Sequence, residues 1–131
     1  MLENKRKSEI MDERVKKFVD KHIASDLVIE SVAMTTDYKT NNREAKKLNK
    51  LFEELSKDIE LAKAVYEILL DNECVTTRGI SSAECLRLGI HIDKAVKNLE
   101  EISRMKNIGI RSLSAEMSLK LWRGEVEGQH L

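Results

Sequence analysis

Three histidines (His22, His91 and His130) and two cysteines (Cys74 and Cys85) are the residues of this chain best able to hold a metal or attack a substrate. A zinc site draws on such residues in closely spaced pairs. Here the histidines fall in three distant parts of the chain, and no His-x-x-x-His or Cys-x-x-Cys spacing occurs. No metal site is therefore expected. A cysteine nucleophile needs a neighbouring base, and neither cysteine has a histidine beside it in sequence. Cys85 falls within an apolar helical pattern, where a thiol acts as a small core residue. Two cysteines cannot build a disulfide framework, so both read as reduced thiols of an intracellular protein.

The carboxylates Glu53, Glu54, Asp58, Glu60, Glu67, Asp71 and Glu73 are numerous, but no pair stands out as an acid and a base. The five glycines are single, so no phosphate-cradling loop is present. The chain is read as a non-enzyme with no catalytic, cofactor-binding or metal-binding residues. A small enzyme with an unrecognised site is one alternative; it would need buried polar groups converging in a pocket.

Basic residues raise a second alternative. Arg43, Lys46, Lys47, Lys50 and Lys57 form a local stripe that could meet phosphates. Glu44, Glu53 and Glu54 interrupt it, and net charge is zero. Aromatic residues, needed for base stacking, are only 4% of the chain. The stripe therefore reads as a solvated helix face, and a nucleic-acid-binding protein stays the runner-up.

The elements that must position these residues are helical. Proline is absent, and apolar residues recur at three- and four-residue spacings with no sustained alternation. Residues 1–11 are polar and read as a flexible N-terminus. The first helix is expected from Asp12 to Met34, with Val15, Phe18, Val19, His22 and Ile29 near one face; "LVIESVAM" continues it. Asn41 or Asn42 caps a second helix that buries Ala45, Leu48, Phe52 and Leu55. Asp58 caps a third, with Leu61, Val65, Ile68 and Leu69 inward. A fourth buries Ile80, Ala83 and Leu86 and ends near Gly89. Asp93 lies at the start of a fifth, which buries Ala95, Val96, Leu99 and Ile102. The sixth buries Ile110, Leu113, Met117 and Leu121 and stops at Gly124. Residues 125–131 form a C-terminal tail. The charged N-terminus is no signal peptide and no apolar run approaches the ~20 residues that span a bilayer, so no membrane association and a cytoplasmic location are expected.

The fourth helix is written again in the sixth. At a lag of 33 residues Arg78 matches Arg111, Ile80 matches Leu113, Ser81 matches Ser114, Leu86 matches Leu119, Arg87 matches Lys120 and Leu88 matches Leu121. "KAV" at Lys63 recurs at Lys94. A unit of two helices repeating every 30 to 40 residues marks an α-solenoid, in which stacked pairs share one core. The pattern looks like HEAT-type repeats, whose second helix opens with a valine-arginine step followed by small residues. Val75, Arg78, Ser82 and Ala83 match it, as do Ile110, Arg111, Ser114 and Ala115; Thr76 and Thr77 interrupt the first copy.

From Asp12 to Gly124 the chain is also similar to a bacterial HEAT-like domain of unknown function, the family catalogued as number two-thousand-nineteen. The segments "VKKFVDKHIAS", "NREAKKLNKLFEEL" and "LSAEMSLKLWRGE" carry that resemblance. It implies an all-α curved fold and no particular activity.

The fold expected is all-α: a short HEAT-like α-α superhelix of about six helices in three antiparallel pairs, forming one domain over residues 12–124. Arg78 and Arg111 are expected to be structural, bridging repeats through Asp71, Asn72 or Asn107; gripping an acidic ligand is their other reading. Trp122 is expected to cover the open end of the last repeat. Lys46, Lys50, Glu53, Glu84, Arg87, Glu116 and Lys120 are expected to be exposed on the second helices. Their mixed signs suit a protein partner rather than nucleic acid, for example in an immunity-like protein that neutralises a toxin. Because the fold calls on neither metal nor disulfide, chelators and thiol reductants should leave the melting temperature unchanged. A large drop with either reagent would contradict the reading of the histidines and cysteines.

Overall fold

The computed structural model describes residues 2–125. They form six helices: α1 (Leu2–Val32), α2 (Tyr38–Ser56), α3 (Ile59–Leu69), α4 (Val75–Leu88), α5 (Ile92–Ser103) and α6 (Ile110–Arg123). No strand occurs among the described residues, so the chain is all-α as expected.

The helix boundaries follow local chemistry. Asp58 caps α3, its Oδ1 accepting the Leu61 N–H at 3.2 Å. The α2 cap is Asp37 rather than Asn41 or Asn42. Its carboxylate accepts both the backbone N–H and the hydroxyl of Thr40, so the helix begins at Tyr38. Gly89 and Gly124, both at φ 73°, end α4 and α6 in the left-handed conformation that glycine adopts without strain. The expected flexible segment 1–11 needs correction. From Leu2 onward it is continuous with α1, because nothing between Leu2 and Val32 breaks a helix. Residues 6–10 are exposed, and Met11 packs against the core. Of the expected tail, residues 126–131 lie outside the described residues.

α1 packs against α2, α3 and α4; α5 lies between α4 and α6, and α4 also meets α6. The main core joins Val15 and Val19 of α1 to Leu61, Val65, Tyr66 and Leu69 of α3, and to Leu86, Leu99 and Ile102 farther along. A smaller cluster, Ile29 with Leu48 and Leu51, closes α1 on α2, and Ile80 of α4 packs onto it. Hydrogen bonds tie α5 to the end of α3. Buried Asn98 donates its amide to the Leu70 carbonyl at 2.9 Å and to Ser82 Oγ at 3.2 Å. His91 donates Nε2–H to the Lys63 carbonyl at 2.8 Å.

Two inward faces were misjudged. Ile68 of α3 is exposed, and Ala62 and Tyr66 are buried in its place. On α6, Ile110, Leu113, Met117 and Leu121 all face outward, while Ala115 and Leu119 are buried. α6 packs mainly on α5 and α4.

Asn98→Ala should cost about 1–3 kcal/mol, because it leaves the Leu70 carbonyl and Ser82 without their donor. Urea denaturation measures this; a variant as stable as the parent would show that the bond holds nothing.

Candidate functional site

The most polar part of the interior is the seam between α1 and α4. His22, Asp26 and Glu30 recur every four residues on α1 and so share one face. α4 meets them in the opposite sense, with Glu84 beside His22 and Thr76 beside Glu30. His22 is 1% exposed. Its Nδ1–H donates to Asp26 Oδ2 at 2.5 Å and its Nε2–H to Glu84 Oε1 at 2.7 Å. Tyr66 of α3 stands edge-on to the imidazole, with ring centroids 6.3 Å apart.

Burial by itself would lower the imidazole pKa. The hydrogen bonds to Asp26 and Glu84, together with their charges, outweigh it and push the value up to about 9. Burial also raises the Tyr66 phenol, with the Glu84 charge adding to the effect. The two carboxylates grip opposite nitrogens of the ring, so they cannot converge on one ion, and no metal-binding group occurs among the described residues. Sealed from solvent, this charged sandwich has no access for a substrate.

At its far end the seam is closed by Arg111 of α6. Arg111 donates Nε–H to the Ile108 carbonyl at 2.8 Å and Nη1–H to Glu30 Oε2 at 2.6 Å. Thr76 donates its hydroxyl to the same carboxylate oxygen. Desolvation works to raise the Glu30 pKa, but the bonds from Thr76 and Arg111 prevail and lower it. Arg111 thus joins α6 to α1 through Glu30, not through Asp71, Asn72 or Asn107. Arg78 does not match it: its Nε is buried with no partner, and it makes no ion pair among the described residues.

The residues expected to bind a partner separate into different settings. Glu84 is buried against His22, so its expected exposure is corrected. Lys46, Lys50 and Glu53 are exposed on α2. Arg87 lies over the Phe52 ring at 4.1 Å, a cation–π contact between α4 and α2. Glu116 and Lys120 pair with each other at 3.1 Å on α6. In the basic stripe, Arg43 and Lys47 are both held by the buried Glu44 carboxylate, at 3.0 and 3.2 Å. An open groove of about 530 Å³ runs between α1 and α2, with Lys21, Lys47 and Lys50 set among Ala24, Val28 and Leu51.

The outer face of α6 is the feature that the expected burial pattern missed. Ile110 is 68% exposed, Leu113 54%, Met117 39% and Leu121 49%; Trp122, on the flank of buried Ala115 and Leu119, is 44% exposed. Trp122 therefore leaves much of its surface open at the end where it was expected to act as a cover. Met34, exposed at the end of α1, reaches the base of this face: its Sδ lies 2.9 Å from where a Cβ on Gly109 would stand. Contiguous apolar surface of this kind, rimmed by the Glu116–Lys120 pair, is what a protein-docking surface presents.

Comparison with family models, curated proteins and solved structures finds no match to this chain. The site is therefore judged on its own geometry. The four-residue spacing of His22 and Asp26 was a signal available in the sequence. Glu84, sixty-two residues from His22, gave none.

His22 titrates at a higher pH in the folded protein than in the unfolded chain, where a value near 6.5 is ordinary. Its contribution to stability is therefore complete below about pH 6.5 and is lost as pH rises through about 9. Urea denaturation between these limits should show stability falling with pH, and His22→Gln should flatten that part of the profile. His22→Ala should cost about 3–5 kcal/mol at neutral pH, because two buried carboxylates lose their counter-charge. A flat profile for the parent protein would contradict the sandwich.

Proposed function

We propose that this chain is a non-enzymatic, HEAT-like helical module that binds another protein through the outer face of α6. The observation that carries this reading is the unpartnered row Ile110, Leu113, Met117 and Leu121. Apolar residues exposed in this way gain nothing from solvent. Glu116 and Lys120 lie at its margin, where charge selects among partners more than it adds affinity.

The second-helix repeat, and the resemblance to the HEAT-like family two-thousand-nineteen, support a repeat scaffold that presents an extended binding surface. A protein toxin, as in an immunity-like role, is one partner such a surface would suit. The nucleic-acid reading is weaker, since Glu44 holds Arg43 and Lys47 and leaves less of the stripe to meet phosphates. An enzymatic reading has little support, because the most perturbed histidine is sealed in the core.

A photo-crosslinking amino acid placed at position 117, compared with one at position 50 on α2, tests the face. Protein adducts in cells should form at 117 and be largely absent at 50. Adducts at 50 alone, or nucleic acid as the species captured, would reject the proposal.

A further inference from the structure

The 33-residue repeat says what kind of element belongs on the exposed face of α6. At that lag Leu113, Met117 and Leu121 of α6 correspond to Ile80, Glu84 and Leu88 of α4. In α4 this row is covered. Glu84 bonds His22 of α1, Ile80 packs onto the cluster shared by α1 and α2, and Leu88 packs onto the main core. The covering helix α1 runs antiparallel to α4, since His22 meets Glu84 while Glu30 meets Thr76. The equivalent row on α6 is apolar throughout and exposed, with no helix over it among the described residues. Glu84, which needs a buried cation, is replaced there by Met117, which needs only apolar contact.

Resting on the protein-binding reading above, we propose that the occupant of this face is a second copy of the chain, with two α6 helices packed antiparallel about a two-fold axis beside Met117. Three observations favour a copy over a different partner. The row is self-complementary: with Met117 on the axis, each Leu113 faces Leu121 of the other copy, while Ser114 and Ser118 flank the centre without bulk or charge. The rim is self-complementary as well. Antiparallel pairing brings Glu116 of each copy toward Lys120 of the other, whereas parallel pairing would set like charges together.

The area is adequate too. Four large side chains exposed by 39–68% amount to several hundred Å², a size that marks an interaction site. With the rim it stays below the roughly 800 Å² per partner of a standard interface, in the range of a weak, concentration-dependent pair. A heterologous pairing that set this apolar row on the exposed face of α2 would instead meet Lys46, Lys50 and Glu53. Those charges would be desolvated without partners. A two-fold pairing avoids that cost and closes the assembly at two copies.

Sedimentation equilibrium on the full chain, from low to high micromolar concentration, tests this. The parent protein should reach a dimer within that range. Met117→Glu, which sets two carboxylates against each other on the axis, should weaken it by about a hundredfold or more. Its circular dichroism should be unchanged, since the side chain faces outward. Glu116→Lys alone should weaken the dimer, and Glu116→Lys combined with Lys120→Glu should restore it.

A parent protein that stays monomeric throughout overturns the inference. So does a dimer indifferent to Met117→Glu, or a double reversal that fails to restore what the single reversal lost. The protein-binding reading fails separately. A monomer that still crosslinks a different protein from position 117 keeps that reading and discards the dimer, while an absence of any protein adduct at 117 discards both.

Discussion

Burial of a charged imidazole between two carboxylates is the constraint around which this fold is arranged. An isolated ionised group in the interior would be prohibitively costly, and His22 is tolerable there only because Asp26 and Glu84 grip its two nitrogens at once. Asp26 comes with α1 automatically, one turn on. Glu84 does not: α4 must lie antiparallel against α1 in one register to deliver it. The sandwich therefore specifies an alignment that apolar packing alone would leave freer to slide. Glu30, held by Thr76 and Arg111, repeats the device two turns further along and draws α6 into the same arrangement.

From that seam the remaining layers follow in order. α4 turns a polar face of Thr76, Thr77, Ser81 and Glu84 toward the interior, all of it buried. Small residues at this crossing permit close helix approach, and Asn98 of α5 bonds across to Ser82. α5 packs against both α4 and α6, and no described helix lies beyond α6. At the 33-residue lag α6 carries the pattern of α4, but no described helix covers its outer side. The closed seam and the open face are thus two outcomes of one repeated pattern. The covered copy carries a polar anchor, and the uncovered copy carries methionine and leucine.

This division also separates stability from binding. Three of the perturbed groups, His22, Glu30 and Tyr66, belong to the seam and act on how firmly α1, α3, α4 and α6 hold together; Asp37 and Glu44 are lowered by their own partners on α2. Cys85 belongs with the seam groups: its buried thiol, pushed up to about 12, has little thiolate character. A strongly shifted pKa is often a sign of a functional site; here each shift goes with groups paired or buried inside the fold. The surface suited to recognition is instead the one with no titration signature at all, made of side chains whose only chemical property is that they leave water readily.

What the sequence determined by itself is local. Six helices, the Asp58 cap and the glycine stops at Gly89 and Gly124 were legible, because propensity, capping and chain reversal depend on residues a few positions apart. So was the inward row Leu48, Leu55, Leu61, Val65, Leu99 and Ile102, where an apolar stripe meets a neighbour on its only apolar side. Tertiary structure decided the rest. Leu86 and Leu119 are equivalent in the repeat, and both are buried. Glu84 and Met117 are equivalent too, yet the acid is buried and the methionine is exposed. No pattern within either helix predicts that inversion. Burial belongs to a pair of surfaces rather than to a residue: α1, arriving from sixty-two residues away with a histidine, makes the interior acceptable to a carboxylate, and no described helix arrives to cover the methionine.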